Sequence, residues 1–140
     1  MITKFAFATS CGHQPQNPHK VNQDSYTLSP NLCQTQGVHL FAVSDGHGQN
    51  GHKASGYIKD ALTNHMVNHL SNDKEFHTNI ENFQSRVPGY LRKTFINTHD
   101  ELMKLNFDCH LSGSTVCALI FDSKKVYCSN VGDSRAVLYS

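Results

Sequence analysis

Asp45 and His47 stand in the octapeptide SDGHGQNG (44–51), directly behind the apolar run HLFAV. Asp24, in VNQDSY, and Asp133, in NVGDSRAV, also adjoin strand-like runs. A carboxylate held where a buried strand meets solvent is a rigidly placed ligand. Hard divalent cations such as Mg²⁺ or Mn²⁺ want an all-oxygen surrounding of this kind. Gly46 carries no side chain to block an ion from its carbonyl oxygen. A histidine, titrating near neutrality, is suited to passing a proton to a departing group. Singly, each residue is ordinary, because aspartate is a common turn former and a lone histidine a common surface residue. Only convergence on one rim makes a site, so the elements that carry these residues decide the matter.

KFAFAT (4–9) alternates Phe5 and Phe7 with Ala6 and Ala8 and predicts a strand apolar on both faces. After the proline-containing loop GHQPQNPHK, DSYTLS and HLFAVS predict two more strands, the second ended by the glycines at 46, 48 and 51. Ala54, Tyr57, Ile58, Ala61, Leu62, Met66 and Leu70 keep helical spacing on one face. SNDKEF breaks that helix. A second helix is expected from Pro88, in its first turn, to Leu105, with Leu91, Phe95, Leu102 and Met103 along one side. The period then returns to two: STVCALIF, VYCSNV and AVLYS predict three consecutive antiparallel strands, joined by DSKK and a tight GDSR hairpin. Strands, two helices and a meander predict an α+β fold with the helices on one face of an antiparallel sheet.

The 140 residues suit one domain. A net charge of +1, with no basic block, gives no electrostatic argument for nucleic acid or an anionic membrane surface. No apolar stretch approaches a membrane span, and the apolar run near the start is too short for a secretion signal. The five cysteines are odd in number and lack a CxxC pair, so they read as reduced thiols of an intracellular chain. The expected location is cytoplasmic or nuclear, not secreted. His65 and His69 have the i, i+4 spacing of zinc helices without the glutamate of HExxH, which leaves a zinc-binding helical module as a remote option.

Several segments together resemble the metal-dependent protein phosphatase family, the PPM or PP2C-type serine/threonine phosphatases. FAVSDGHGQNG is similar to that family's FxVxDGHGG segment, and KVNQDSY to the N-Q-D form of its early acidic motif. LSGSTVCALIF resembles its GSTA strand, VYCSNVGDSRAVL its ANVGDSRAVL hairpin, and FINTHDEL the FxxTDxEL stretch of its second long helix. The resemblance implies an antiparallel β-sandwich flanked by helices, with a centre of two Mg²⁺ or Mn²⁺ ions at one end. It implies water attack on a phosphoserine or phosphothreonine of a protein substrate. Carried over, Asp45 bridges the metals, the Gly46 carbonyl contacts one of them, and His47 is the general acid. Asp133 belongs to a further metal position, Asp24 orients a metal-held water, and Gln23 stands where the motif has a glutamate.

His19 occupies the place where the family often has a phosphate-binding arginine. It is followed by Lys20, so these two are the phosphate-binding candidates, Lys20 offering only a point charge. The family domain is about twice as long and draws two further metal aspartates from its later half. The expectation is therefore that residues 1–140 are the N-terminal part of a single, monomeric phosphatase domain, truncated and inactive in isolation. Regulatory protein partners are compatible with this reading. The rival is a pseudophosphatase that uses the same fold for binding.

Overall fold

The computed structural model describes residues 2, 4–74, 76 and 80–139. Strand β1 (Asp24–Ser29) pairs antiparallel with β2 (His39–His47), which pairs with β4 (Val116–Phe121), and β4 with β5 (Val126–Val131). The two-residue β3 (Gly113–Ser114) pairs with the far end of β2. Helices α1 (Gly51–Ser71) and α2 (Ile80–Leu102) lie between β2 and β3 in the chain. They cover one face of the sheet, giving the α+β arrangement that the alternating periods predict.

Strand periodicity sorts the side chains of β2. Leu40, Ala42, Ser44 and Gly46 face the helices, whereas Phe41, Val43, Asp45 and His47 face away. Leu40 sits opposite Ile120 and Ala42 opposite Ala118. These meet Ala54, Ile58, Leu62, Met66 and Leu70 of α1, and Phe83, Val87 and Leu91 of α2, in one continuous core. At about 25 cal/mol per Å² of apolar area removed from water, this contact is the main force holding helices to sheet.

Helix α2 begins eight residues before Pro88, so the proline is not in its first turn. An interior proline loses a backbone hydrogen bond and crowds the carbonyl four residues earlier, at a cost of about 3 kcal/mol. What opposes that cost is the buried stripe Phe83, Val87, Leu91, Thr94, Thr98 and Leu102, which runs through the proline position without a break. Met103, placed in the helix by its spacing, lies beyond the end of α2 and is exposed. The segment 71–76 ends α1 as expected, Glu75 lying outside the described residues.

Two predicted strands are not formed. Residues 4–9 and 134–139 have no ladder partner, and Ser140 lies outside the described residues. Residues 5–8 and 135–137 instead lie against the sheet face opposite the helices. Phe5 meets Phe41 at 5.2 Å between ring centroids, and Phe7 meets Tyr26 at 4.6 Å. Phe5–Ala8 and Arg135–Val137 line one cleft of about 420 Å³ with Leu28, Val43, Cys117 and Leu119. Apolar alternation carries a segment to an apolar face, but a strand also needs a neighbour for its N–H and C=O groups. Among the cysteines, Cys117 is buried, whereas Cys11 and Cys128 are exposed.

Candidate functional site

Strand β2 does not stop at the first glycine but runs through Asp45, Gly46 and His47. The two-residue period therefore sets Asp45 and His47 on the same exposed face. β1 starts at Asp24, and the register places Asp24 directly opposite Asp45. Cross-strand neighbours have Cβ atoms about 5 Å apart, and like charges so placed repel. The Asp24 carboxyl is accordingly held above its usual range, first by burial, then by the charge of Asp45 and a hydrogen bond with it. The Lys20 ammonium acts weakly in the opposite sense. Asp24, Asp45, Thr9, Ser10 and Ser134 share a cleft of about 360 Å³. Its polar lining is carboxylate and hydroxyl oxygen, the donor chemistry of a hard cation.

The backbone of Asp45 is fixed on both sides. Its N–H donates to Thr115 Oγ1 at 3.0 Å, and its carbonyl accepts from the Thr115 N–H at 2.9 Å. Thr115 Oγ1 also shares a 2.6 Å hydrogen bond with Ser134 Oγ. On the other strand the Asp24 N–H donates to Asn22 Oδ1 at 3.1 Å, and Asn22 Nδ2 donates to Thr9 Oγ1 at 2.9 Å.

Close backbone approach by itself requires a glycine at position 46. A Cβ there would lie 2.3 Å from the Gly51 carbonyl oxygen and 2.6 Å from that of Gln23. The strand end and the start of α1 thus touch backbone to backbone. Gly48 has φ +80°, and a Cβ on it would lie 2.0 Å from the Leu111 carbonyl oxygen. Gly113, opposite His47 across β2 and β3, leaves room for the imidazole, whose Nε2 would be 3.0 Å from a Cβ at that position.

The remaining candidates fall at different distances from this rim. Gln23 directs its amide to backbone, Nε2 donating to the Gly48 carbonyl at 2.6 Å. Lys20 lies near Gly12 and within electrostatic reach of Asp24, and His19 is exposed in the preceding turn. Among the described residues, the turn after β5 reaches the acidic cleft through Ser134, while Asp133 is exposed beside it. No group of three or more His, Cys, Asp or Glu converges among the described residues. The two carboxylates therefore suit a hard cation but supply only part of its coordination. His65 and His69 do not converge: His65 Nε2 is 2.9 Å from Glu101, while His69 stacks on Tyr90. No helix among the described residues is long and apolar enough to cross a membrane.

Thr115, Asn22 and Ser134 were not foreseen as supports of the site. The signal that could have found Thr115 is its place beside two small residues at the start of a strand.

An α+β sheet with opposed carboxylates on its rim, and a histidine on the same face, fits the phosphatase class that the motifs resemble. Comparison with known proteins makes the assignment: the family model Protein phosphatase 2C matches residues 10–140, and the chain belongs to that family. It is 35% identical over 134 residues to "Probable protein phosphatase 2C 35" of Arabidopsis thaliana, covering 96% of this chain and 35% of that protein. "Probable protein phosphatase 2C 14" of Oryza sativa subsp. japonica is 29% identical over 150 residues, with coverages of 88% and 29%. "Probable protein phosphatase 2C 55" of the same rice is 32% identical over 117 residues, with coverages of 82% and 28%. The chain thus spans about a third of the length of these relatives.

Proposed function

We propose that the protein is a metal-dependent serine/threonine phosphatase acting on phosphoproteins, and that this chain supplies part of the residues that would hold its metal ions. The observation that carries the reading is the opposition of Asp24 and Asp45 on the rim that also presents His47. Bound Mg²⁺ or Mn²⁺, two ions per complete domain, supplies charge neutralisation and makes water a competent nucleophile at neutral pH.

Asp45 and the Gly46 carbonyl would hold the ions, Asp24 would orient a water, and Asp133 would serve a further ion position. The Asp24 carboxylate, disfavoured by burial and by the charge of Asp45, would be favoured by bound positive charge on this rim. Lys20, with His19 beside it, supplies charge for the substrate phosphate. In the reaction a P–O bond forms to the water oxygen while the P–O bond to the seryl or threonyl oxygen breaks. That oxygen keeps the bonding pair and takes a proton from His47, and the proton lost by water passes to the phosphate or solvent.

Hydrolysis of a phosphothreonine peptide by the protein at its natural length tests this. The expected result is Mn²⁺-dependent phosphate release that Asp45→Ala abolishes. Metal-independent release, or release that survives in Asp45→Ala, contradicts it.

A pseudophosphatase remains the second reading. It is favoured by His19 and Gln23, which stand where the family's motifs often have an arginine and a glutamate. Two Mn²⁺ ions bound per domain in calorimetry would remove it.

A further inference from the structure

We propose that Gln23 is a positioning residue for His47, its side-chain amide clamping the turn that follows the histidine; this rests on the phosphatase reading above. The backbone carbonyl of Gln23 is anchored twice, accepting from the Gly46 N–H at 3.1 Å and from Ser55 Oγ at 2.6 Å. Gln23 is thereby fixed to β2 and α1 together. From that anchor Nε2 reaches the Gly48 carbonyl at 2.6 Å, which also accepts the Gly51 N–H at 3.3 Å. A Cβ on Gly51 would lie 3.1 Å from Nε2, so the glycine leaves space for the amide.

The opposite side of the turn is held independently. The Asn50 N–H donates to Ser112 Oγ at 3.0 Å, and Asn50 Nδ2 donates to the Asp108 carbonyl at 3.0 Å. Gly48, at φ +80°, can take many conformations when unheld, so these clamps fix where its neighbour His47 leaves the strand.

The donor is the essential part. An ionised glutamate has the same length but only accepts hydrogen bonds, and would meet the Gly48 carbonyl oxygen with a like partial charge. Glutamine at this position therefore does work that the acidic form of the motif cannot do in the same way. It also adds no charge to the rim. A ligand role and a clamp role predict opposite outcomes when the amide becomes a carboxylate.

The test uses the protein at its natural length, with Gln23→Met and Gln23→Glu, on two substrates. One is a phosphothreonine peptide, whose alkoxide leaving group needs the proton of His47. The other is 4-nitrophenyl phosphate, whose phenolate departs without one. Both variants are expected to lose about 10–100-fold more kcat on the peptide than on the aryl phosphate, the scale of a misplaced catalytic group. Equal losses on both substrates would overturn the proposal and mark Gln23 as a general structural residue. Tighter Mn²⁺ binding with a faster peptide rate in Gln23→Glu would also overturn it, in favour of a metal-side role.

If the wild type hydrolyses neither substrate, it is the phosphatase reading that fails. The clamp is then read directly from the ¹³C carbonyl resonance of Gly48. A resonance that moves in Gln23→Met supports the clamp; one that does not move overturns it.

Discussion

The seam between the two helices and the rim of the sheet treat their carboxylates in opposite ways. In the seam, Glu101 of α2 accepts from Tyr57 Oη at 2.6 Å and pairs with His65 at 2.9 Å. Asp73 likewise takes Arg86 at 2.7 Å and the Tyr90 hydroxyl. On the rim, Asp24 and Asp45 face each other across a strand pair. The seam pairs its acids with bases and hydroxyls, whereas the rim holds two acids together with only the weak opposing charge of Lys20. Carboxylates retained at such a cost are a mark of function, since pairing either with a base would stabilise the fold more simply.

The comparison can be broken most forcefully at Asp45. Removing a metal ligand forfeits several kcal/mol of transition-state stabilisation, so Asp45→Ala is expected to lower kcat by roughly 10³-fold or more in steady-state assays. Loss of less than tenfold would put the rim on the same footing as the seam.

Glycines give the next contrast. Gly46→Ala drives a Cβ into two backbone carbonyls, with an expected loss of about 3 kcal/mol in denaturant melts. Gly56, within α1, has open space around its Cβ position, so Gly56→Ala is expected to add about 0.5–1 kcal/mol.

Asp24→Asn sharpens the contrast further. Without added metal it should stabilise the protein by about 0.2–1 kcal/mol, because it removes a like-charge pair. It should also diminish the thermal stabilisation that Mn²⁺ gives the wild type. A destabilised metal-free Asp24→Asn would mean that the two acids are compensated in the fold after all.

The smallest effect belongs to pH at the seam. Glu101 is held below its ordinary 4.5, first by the Tyr57 hydrogen bond and then by that of His65. Its contribution is therefore present above pH 4.5 and fades as pH falls through the lowered folded value. Tyr57, pushed up to about 12 chiefly by burial and then by Glu101, contributes below pH 10 and loses that contribution as pH rises toward 12. The melting temperature of wild type should exceed that of Glu101→Gln near neutrality, with the gap closing in acid. A gap independent of pH would show that Glu101 acts by packing alone.

The sequence made the helical layer, β1, β2, β4 and β5 legible because each carries its own period and its own buried face. It singled out Asp45 and His47 as candidates, but not their shared face, which depends on β2 continuing past Gly46. Residues 4–9 read as a strand because Phe5 and Phe7 alternate with alanines, and residues 136–139 because Ala136, Val137, Leu138 and Tyr139 form an apolar run after a turn. What they lack is a ladder partner, and no local pattern records a partner. The length of α2 is not legible around Pro88 for a related reason: the proline is local, whereas the burial of Phe83, Val87 and Leu91 is a tertiary fact. Thr115, clamping Asp45 from 70 residues away, belongs to the same class of information.

The central claim is that the two acids of the rim are kept side by side in order to hold hard cations. Calorimetric titration of Mn²⁺ into the protein at its natural length, comparing wild type with Asp45→Asn, tests it most directly. The account predicts saturable binding that Asp45→Asn weakens by at least about tenfold, a scale set by the loss of one coordinating carboxylate. Equal Mn²⁺ affinity and stoichiometry in the two proteins would contradict it.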